Sequence, residues 1–148
     1  MRINGTPGFS LVEIIVALAL MGIVLAIALP GWSKLLPSYH LSSAARQIQS
    51  ELHNIKMRAA AENVPFQLVY ADASAVYTIQ KDLTSLVTKP LSEGILITKA
   101  GTVSFSPRGT ASANRVRLSN QSGQCKQVVV SPTGRVRICT PSDCNMDC

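Results

Sequence analysis

The chain has 148 residues and a formal net charge of +6; apolar residues make up 47% of it and aromatic residues only 5%. This length suits one folded domain plus an anchor, and the sequence shows no internal repeat and no low-complexity segment. The charge is uneven, because residues 94–142 hold seven basic side chains and no acidic one. Such a segment indicates a polyanion or an acidic partner, and a solvated sheet face is the alternative.

A short leader with one basic residue, Arg2, precedes a long apolar run. No charged residue lies between Ile14 and Ser33, and a membrane-spanning helix needs about 20 such residues. Glu13 places one carboxylate at the apolar start of this run. Because a carboxylate within hydrocarbon costs roughly 2.5–3.5 kcal/mol on insertion scales, we expect a functional role for Glu13. The alternative is a plain anchor in which Glu13 lies near the lipid headgroups.

The segment Gly8-Phe9-Ser10-Leu11-Val12-Glu13 resembles the cleavage and methylation motif of type IV prepilins. In that family a membrane peptidase cuts after the glycine and N-methylates the new terminal Phe, which implies that Gly8 and Phe9 form the processing site. Glu13 would be the fifth mature residue, which in the family pairs with the terminal amine of a neighbouring subunit during assembly. Pro30 matches the family's helix-kinking proline. An ordinary secretory signal would be cut after its apolar core, but no Ala-x-Ala-like site followed by a polar stretch lies there.

From about Ser38 the apolar residues recur every three or four positions, which predicts an amphipathic helix. The segment Asn63-Val64-Pro65 ends the pattern. We therefore expect the helix to leave the membrane and to pack one face on a folded domain. The predicted stripe consists of Leu41, Ala45, Ile48, Leu52, Ile55 and Ala59.

After Pro65 short segments with a period of two predict antiparallel strands. Segment 82–93 lacks that pattern and is predicted as a loop. The expected fold is α+β and type IV pilin-like, with a long N-terminal helix packed on antiparallel sheet. Its parts are a leader (1–8), a transmembrane and assembly helix (9–32), an amphipathic continuation (33–64) and a β-rich periplasmic domain (65–148). The candidate strands are Phe66–Ala71, Val76–Lys81, Ile95–Lys99, Val103–Ser106, Arg115–Ser119, Gln127–Ser131 and Arg135–Cys139.

Two of these strands alternate arginines with aliphatic residues, so their arginines point away from the core. The pattern Phe105-Ser-Pro-Arg-Gly109 followed by Gly134-Arg135-Val136-Arg137 resembles GspH/FimT-type minor pilins and pseudopilins. FimT-like members are proposed to bind DNA through a Gly-Arg-x-Arg motif, which implies that Arg135 and Arg137 bind DNA here. Charge and alternation add further candidates to this basic surface, namely Arg115, Arg117, Lys126, Arg108 and Lys99.

Such binding would be electrostatic and independent of sequence, since an arginine fork suits phosphate oxygens. The alternative is a purely structural pseudopilin, similar to protein H of type II secretion, without affinity for DNA. Exposed basic side chains on strands also protect sheets from edge pairing. Related secretion pseudopilins have a turn glycine and basic residues at this place too, so the motif alone does not establish DNA binding. The N-terminal motif serves pili and secretion systems alike and does not show which machine the subunit joins.

Four cysteines after residue 124 indicate an oxidising compartment, here the periplasm. A hairpin register with Lys126 opposite Cys139 favours bonds Cys125–Cys139 and Cys144–Cys148. The alternative joins Cys125 to Cys144 or to Cys148, with Cys139 taking the remaining cysteine. A zinc site from Cys139, Cys144 and Cys148 fits no strong spacing pattern.

No phosphate-cradling glycine loop and no nucleophile–base pair is visible, so we predict a protein that is not an enzyme and needs neither cofactor nor metal. His40 and His53 lack a cluster that would complete a metal site. The expected partners are other pilins or pseudopilins, the prepilin peptidase, the inner membrane and, in the DNA hypothesis, double-stranded DNA. The expected location is a single-pass inner-membrane anchor with a periplasmic domain, and a periplasmic or extracellular filament after assembly.

Overall fold

The computed structural model describes residues 9–144 and 146, and within helix α1 the side chains of residues 28–34 are outside the described set. The chain divides into two compact units, Met1–Leu36 and Pro37–Cys148. The predicted leader with Gly8 and the side chain of Pro30 therefore lie outside the described residues. Processing after Gly8 and a kink at Pro30 remain predictions.

Helix α1 begins at Leu11 and ends at Glu62. Its first turn starts from Ser10, whose carbonyl oxygen accepts hydrogen bonds from the amides of Glu13 (3.0 Å) and Ile14 (3.3 Å). Within the first unit, every described side chain from Phe9 to Ile27 is exposed. Over the residues described, no helix is both long enough and apolar enough to cross a membrane. The predicted transmembrane helix over residues 9–32 is thus not confirmed there.

The second unit contains the amphipathic half of α1, and its predicted stripe is confirmed. All six stripe residues are buried, and Ala44 is buried beside them. Asn63 follows the helix with a φ of +53°, a left-handed conformation that asparagine tolerates at a helix C-terminus. The sequence signal at Asn63-Val64-Pro65 therefore ends the helix as predicted.

The first sheet has the strand order β3-β2-β1-β5, with neighbouring strands antiparallel. Its strands alternate buried and half-buried residues, except for β3, which is almost entirely exposed at the sheet edge. The bounds are β1 Phe66–Tyr70, β2 Val76–Lys81, β3 Thr84–Pro90 and β5 Gly101–Phe105.

The predicted loop over 82–93 is wrong for strand β3. Asp82 and Leu83 form a two-residue hairpin turn in which both have positive φ, +46° and +68°. Glycine or asparagine usually fills such turns, so this pair gave no turn signal. An exposed edge strand also buries neither face, so it shows no alternation of apolar and polar residues.

The second sheet has the order β4-β6-β7-β8 and is antiparallel throughout. Its inward-facing aliphatic side chains join those of the first sheet and of α1 in one core. All buried apolar residues among those described belong to Pro37–Cys148, so this unit has its own core. The predicted α+β fold is confirmed. The bounds are β4 Ile95–Ile97, β6 Asn114–Asn120, β7 Cys125–Val130 and β8 Val136–Cys139.

Tyr70 joins the two sheets. Its side chain is 3% exposed, and its hydroxyl donates a 3.0 Å hydrogen bond to the carbonyl oxygen of Arg115 in β6. A Cβ on Gly101 would collide with the Tyr70 hydroxyl, so the backbone of β5 comes close to this ring only because residue 101 is glycine. This hydrogen bond therefore links the first sheet to the backbone of Arg115 in the second sheet.

We expect the stability of residues 37–148 to fall between pH 10 and 12. Burial raises the pKa of Tyr70 to about 12, while an unfolded tyrosine ionises near pH 10. Above pH 10 the unfolded state thus binds fewer protons than the folded state, which lowers the free energy of unfolding by about 2 kcal/mol at pH 12. Denaturation as a function of pH should show a shallower decline for Tyr70→Phe. The exposed Tyr39 is the control, and an equal change in Tyr39→Phe would contradict this assignment.

Candidate functional site

The outward face of the second sheet carries a row of three residues on adjacent strands. Arg115 lies opposite Val129, and Val129 lies opposite Arg137. Their neighbours along each strand, such as Val116 and Val128, are buried on the inward face. The structure therefore brings Arg115 and Arg137 to the same face, on either side of Val129.

The turn between β7 and β8 spans residues 131–135. The Gly134 amide donates to the carbonyl oxygen of Ser131 (2.9 Å), and the Ser131 amide donates to that of Arg135 (3.0 Å). Val130 pairs with Val136, so this turn holds one more residue than a two-residue hairpin with Pro132 and Thr133 at its tip. Gly134 adopts a left-handed conformation in this turn, with a φ of +73°. Arg135 consequently lies in the turn, and strand β8 begins at Val136, one residue later than predicted.

A shallow cavity of about 260 Å³ lies at the end of this face. Both arginines of the Gly-Arg-x-Arg motif line it, so the structure does bring Arg135 and Arg137 together. The hydroxyls of Ser131 and Thr133, 2.9 Å apart, add two further polar groups. Guanidinium and hydroxyl donors suit an anion with several oxygen atoms, such as a phosphate group. The other lining residue is Val129.

Lys56 of helix α1 contacts the turn between β7 and β8. Its Nζ donates a 2.9 Å hydrogen bond to the carbonyl oxygen of Gly134. The neighbouring loop also touches the turn, since the Ala111 amide donates to the carbonyl oxygen of Pro132 at 3.0 Å. That loop carries the exposed Arg108. Lys56 could not be singled out from the sequence pattern, because it falls off the apolar stripe like any other solvated helix residue.

Two predicted members of the basic surface, Lys126 and Arg117, lie outside the row formed by Arg115, Val129 and Arg137. Lys126 is opposite Leu118 and so belongs to the other side of the sheet, where it lines a separate cavity of about 440 Å³. Arg117 shares the outward face but lies one row along, opposite Gln127. Gln127 is fully buried and donates from Nε2 to the carbonyl oxygen of Met146 at 2.6 Å. The C-terminal tail therefore covers Gln127.

A disulfide between Cys125 and Cys144 holds the tail, with the two Cα atoms 5.3 Å apart. The first predicted pairing, Cys125 with Cys139, is wrong, and the alternative is confirmed for this bond. The extra turn residue shifts the register, so Gln127 rather than Lys126 lies opposite Cys139. Cys139 is also disulfide-bonded, and Cys148 lies outside the described residues. No group of three or more His, Cys, Asp or Glu side chains in the described chain could hold a metal ion.

Acidic side chains neutralise the lysines around the first sheet. Glu62 accepts from Lys81 Nζ at 2.6 Å and Arg58 Nε at 3.1 Å, and the bond from Lys81 is the main reason why the pKa of Glu62 lies below its ordinary value. Lys89 Nζ donates to Glu51 at 2.5 Å, which raises the pKa of Lys89. The net positive charge is therefore concentrated on the second sheet and the loops beside it.

Near the N-terminus, Phe9 precedes helix α1 and Glu13 lies in its first turn, and both side chains are exposed. Together with Ala17 and Met21 they line one concave surface of about 420 Å³. The two described residues of the processing and assembly motif, Phe9 and Glu13, thus line the same concave surface.

Comparisons with known families and structures agree with this architecture. The family model described as type II transport protein GspH matches residues 44–134, and that described as prokaryotic N-terminal methylation motif matches residues 4–29. No curated protein matches the sequence significantly. The GspH match begins within helix α1 and not at the predicted domain start, residue 65.

Three solved structures have a similar fold. The type IV minor pilin FimU of Pseudomonas aeruginosa PAO1 in space group P65 superposes with a TM-score of 0.56 at 16% identity, covering 70% of this chain and 99% of FimU. In space group P21 the TM-score is 0.57 at 14% identity, covering 72% and 96%. The minor pseudopilin EpsH of the Vibrio cholerae type 2 secretion system gives 0.55 at 15% identity, covering 70% and 99%. Because the GspH model spans more than half of the sequence, this chain belongs to the type II transport protein GspH family of minor pilins and pseudopilins.

Proposed function

We propose that this chain is processed after Gly8, methylated on Phe9 and assembled into a pilus or a secretion pseudopilus through its N-terminal helix. One observation carries the proposal: the apolar side chains from Phe9 to Ile27 are all exposed, Phe9 by 81%. Water does not favour such a surface, which gains roughly 25 cal/mol per Å² of apolar area when it is buried. Neighbouring helices in a filament would supply that burial, and the inner membrane would supply it before assembly.

Glu13 fits a role in assembly because it lines the same concave surface as Phe9. After cleavage the residue 9 amine would carry the new positive terminus, and a carboxylate at residue 13 would meet the amine of a neighbouring subunit. The pairing would offset the cost of placing both charges among apolar helices. The subunit itself would carry out no chemistry and would be a substrate of the prepilin peptidase.

Glu13→Gln should reduce incorporation into filaments at least about tenfold, because a neutral amide forms no ion pair with the amine of a neighbour. Sheared filaments would be quantified by immunoblot, and mass spectrometry of the parent should find an N-terminal peptide that starts at methylated Phe9. Glu93→Gln, which changes an exposed carboxylate of the second unit, is the control. Incorporation of Glu13→Gln at the parental level would refute the assembly role.

A second candidate function, DNA binding, is favoured by the cavity that Arg135 and Arg137 share. The row across the sheet adds Arg115 on the same face, and no acidic residue lies in residues 94–142. These groups would contact the phosphates of double-stranded DNA and would not read base edges. The subunit would then serve DNA uptake in natural transformation as part of a pilus.

Removing both motif arginines should weaken binding to double-stranded DNA at least tenfold. It should also reduce the slope of log affinity against log salt concentration by the equivalent of about two phosphate contacts. The change is Arg135→Gln with Arg137→Gln, and binding would be measured by fluorescence anisotropy at several salt concentrations. The matched control, Arg46→Gln with Lys126→Gln, removes the same charge from outside the row.

If the control loses as much affinity as the motif variant, the basic surface is diffuse and contains no dedicated site. If the parent binds no DNA even at low salt, the chain is a purely structural subunit. If cells that lack this chain then fail to release secreted proteins, the chain is a subunit of a secretion pseudopilus and not of a pilus.

A further inference from the structure

We propose that Lys56 is a positioning residue for the phosphate-binding turn, a role that rests on the proposed DNA binding. Its ammonium donates to the carbonyl oxygen of Gly134, the residue directly before Arg135, at 2.9 Å. The two residues are 78 positions apart in sequence, so this bond ties helix α1 to the turn between β7 and β8. The contact fixes the peptide from which Arg135 projects.

The turn is closed on its other sides as well. Gly134 is buried, and a Cβ at this position would overlap with the carbonyl oxygen of Gly109 and approach Lys56 Nζ. Within the turn, the Arg135 amide donates to Ser131 Oγ at 3.2 Å. The turn is thus held by α1, by the loop around Gly109 and by its own hydrogen bonds.

This packing gives Lys56 a different task from the arginines. Arg135 and Arg137 are exposed and free to meet a phosphate group, whereas Lys56 is half-buried with its ammonium already bound to a backbone oxygen. Lysine suits this position because its long apolar stem can lie against the core while the charge reaches the turn. Without the bond, the Gly134 carbonyl would lose its partner and the two arginines would lose their fixed spacing. The affinity for phosphate groups would fall because the site would have to be ordered on binding.

The test compares three variants of the full chain in detergent: Lys56→Gln, Lys56→Arg and, as a control for charge, Arg46→Gln. Arg46 is exposed on the same helix ten residues earlier, about 15 Å away along the axis. The first readout is hydrogen exchange of the Gly134 and Arg135 amides, which needs no ligand. The second is affinity for a 30-base-pair DNA duplex as a function of salt.

For Lys56→Gln we expect at least tenfold faster exchange at Gly134 and Arg135, and about tenfold weaker DNA binding with an almost unchanged salt slope, since Lys56 contacts no phosphate. Lys56→Arg should restore both, and Arg46→Gln should leave the exchange unaltered. If Lys56→Gln instead reduces the slope of log affinity against log salt concentration by about 1, Lys56 contacts a phosphate group directly and the positioning role is overturned. Unchanged exchange would overturn it too. If the parent binds no DNA while exchange still accelerates, Lys56 positions the turn and only the DNA function fails.

Discussion

Replacing Gly134 with alanine should lower the free energy of unfolding of residues 37–148 by about 3 kcal/mol. Two costs add at this position. The φ of +73° disfavours any side chain with a Cβ, at about 1 kcal/mol or more. In addition, the new methyl group would overlap with the carbonyl oxygen of Gly109, a backbone atom that can move only if its loop moves. Urea denaturation followed by circular dichroism would measure the loss.

Gly123 provides a matched control for the first cost alone. Its φ is +76°, but a Cβ there would meet no atom within 4 Å. We therefore expect Gly123→Ala to cost only about 1 kcal/mol. Equal losses in the two variants would show that the contact with Gly109 contributes nothing and that the turn is not packed against its neighbouring loop.

Removing the Cys125–Cys144 disulfide as Cys125→Ser with Cys144→Ser should cost about 3 kcal/mol of stability. The two cysteines are 19 residues apart, and opening a loop of this size restores conformational entropy to the unfolded chain. The hydrogen bond from Gln127 to the Met146 carbonyl oxygen would also weaken, because Met146 lies in the tail that this disulfide anchors. Chemical denaturation without reductant would measure the difference.

The reductant provides a second comparison. Because Cys139 is also disulfide-bonded, reduction should destabilise the parent by more than the double substitution does. It should destabilise the double variant by a smaller amount. A double variant within about 0.5 kcal/mol of the parent would mean that the tail is held by its other contacts, and the predicted entropic stabilisation would be wrong.

Sequence patterns identified the elements that bury one face and missed the element that buries none. The stripe from Leu41 to Ala59 and the alternation in strands such as Phe66–Tyr70 follow directly from the periods of helix and strand. Strand β3 has no buried face, and its turn uses Asp82 and Leu83 in place of glycine. Nothing in the local sequence marks such a strand, because its place is set by pairing with β2.

The candidate site was predictable in its arginines but not in its geometry. Alternation placed Arg115 and Arg137 outward, and a single additional turn residue at Gly134 then changed which residues face each other. That shift of one position moved the partner of Cys139 from Lys126 to Gln127 and led to the wrong disulfide. Lys56 was not predictable at all, since its contact with Gly134 exists only once the helix has packed against the second sheet.

The row Arg115–Val129–Arg137 is short, and its length limits what one subunit can hold. Adjacent strands lie about 4.8 Å apart, so the row spans about 10 Å. At a rise of 3.4 Å per base pair, that matches about three base pairs of duplex. In the next row along the sheet, Gln127 is buried and hydrogen-bonded to Met146 of the tail. If the row binds DNA as proposed above, one domain would hold it weakly and release it quickly, and firm retention would require several copies along a filament whose combined contacts give avidity.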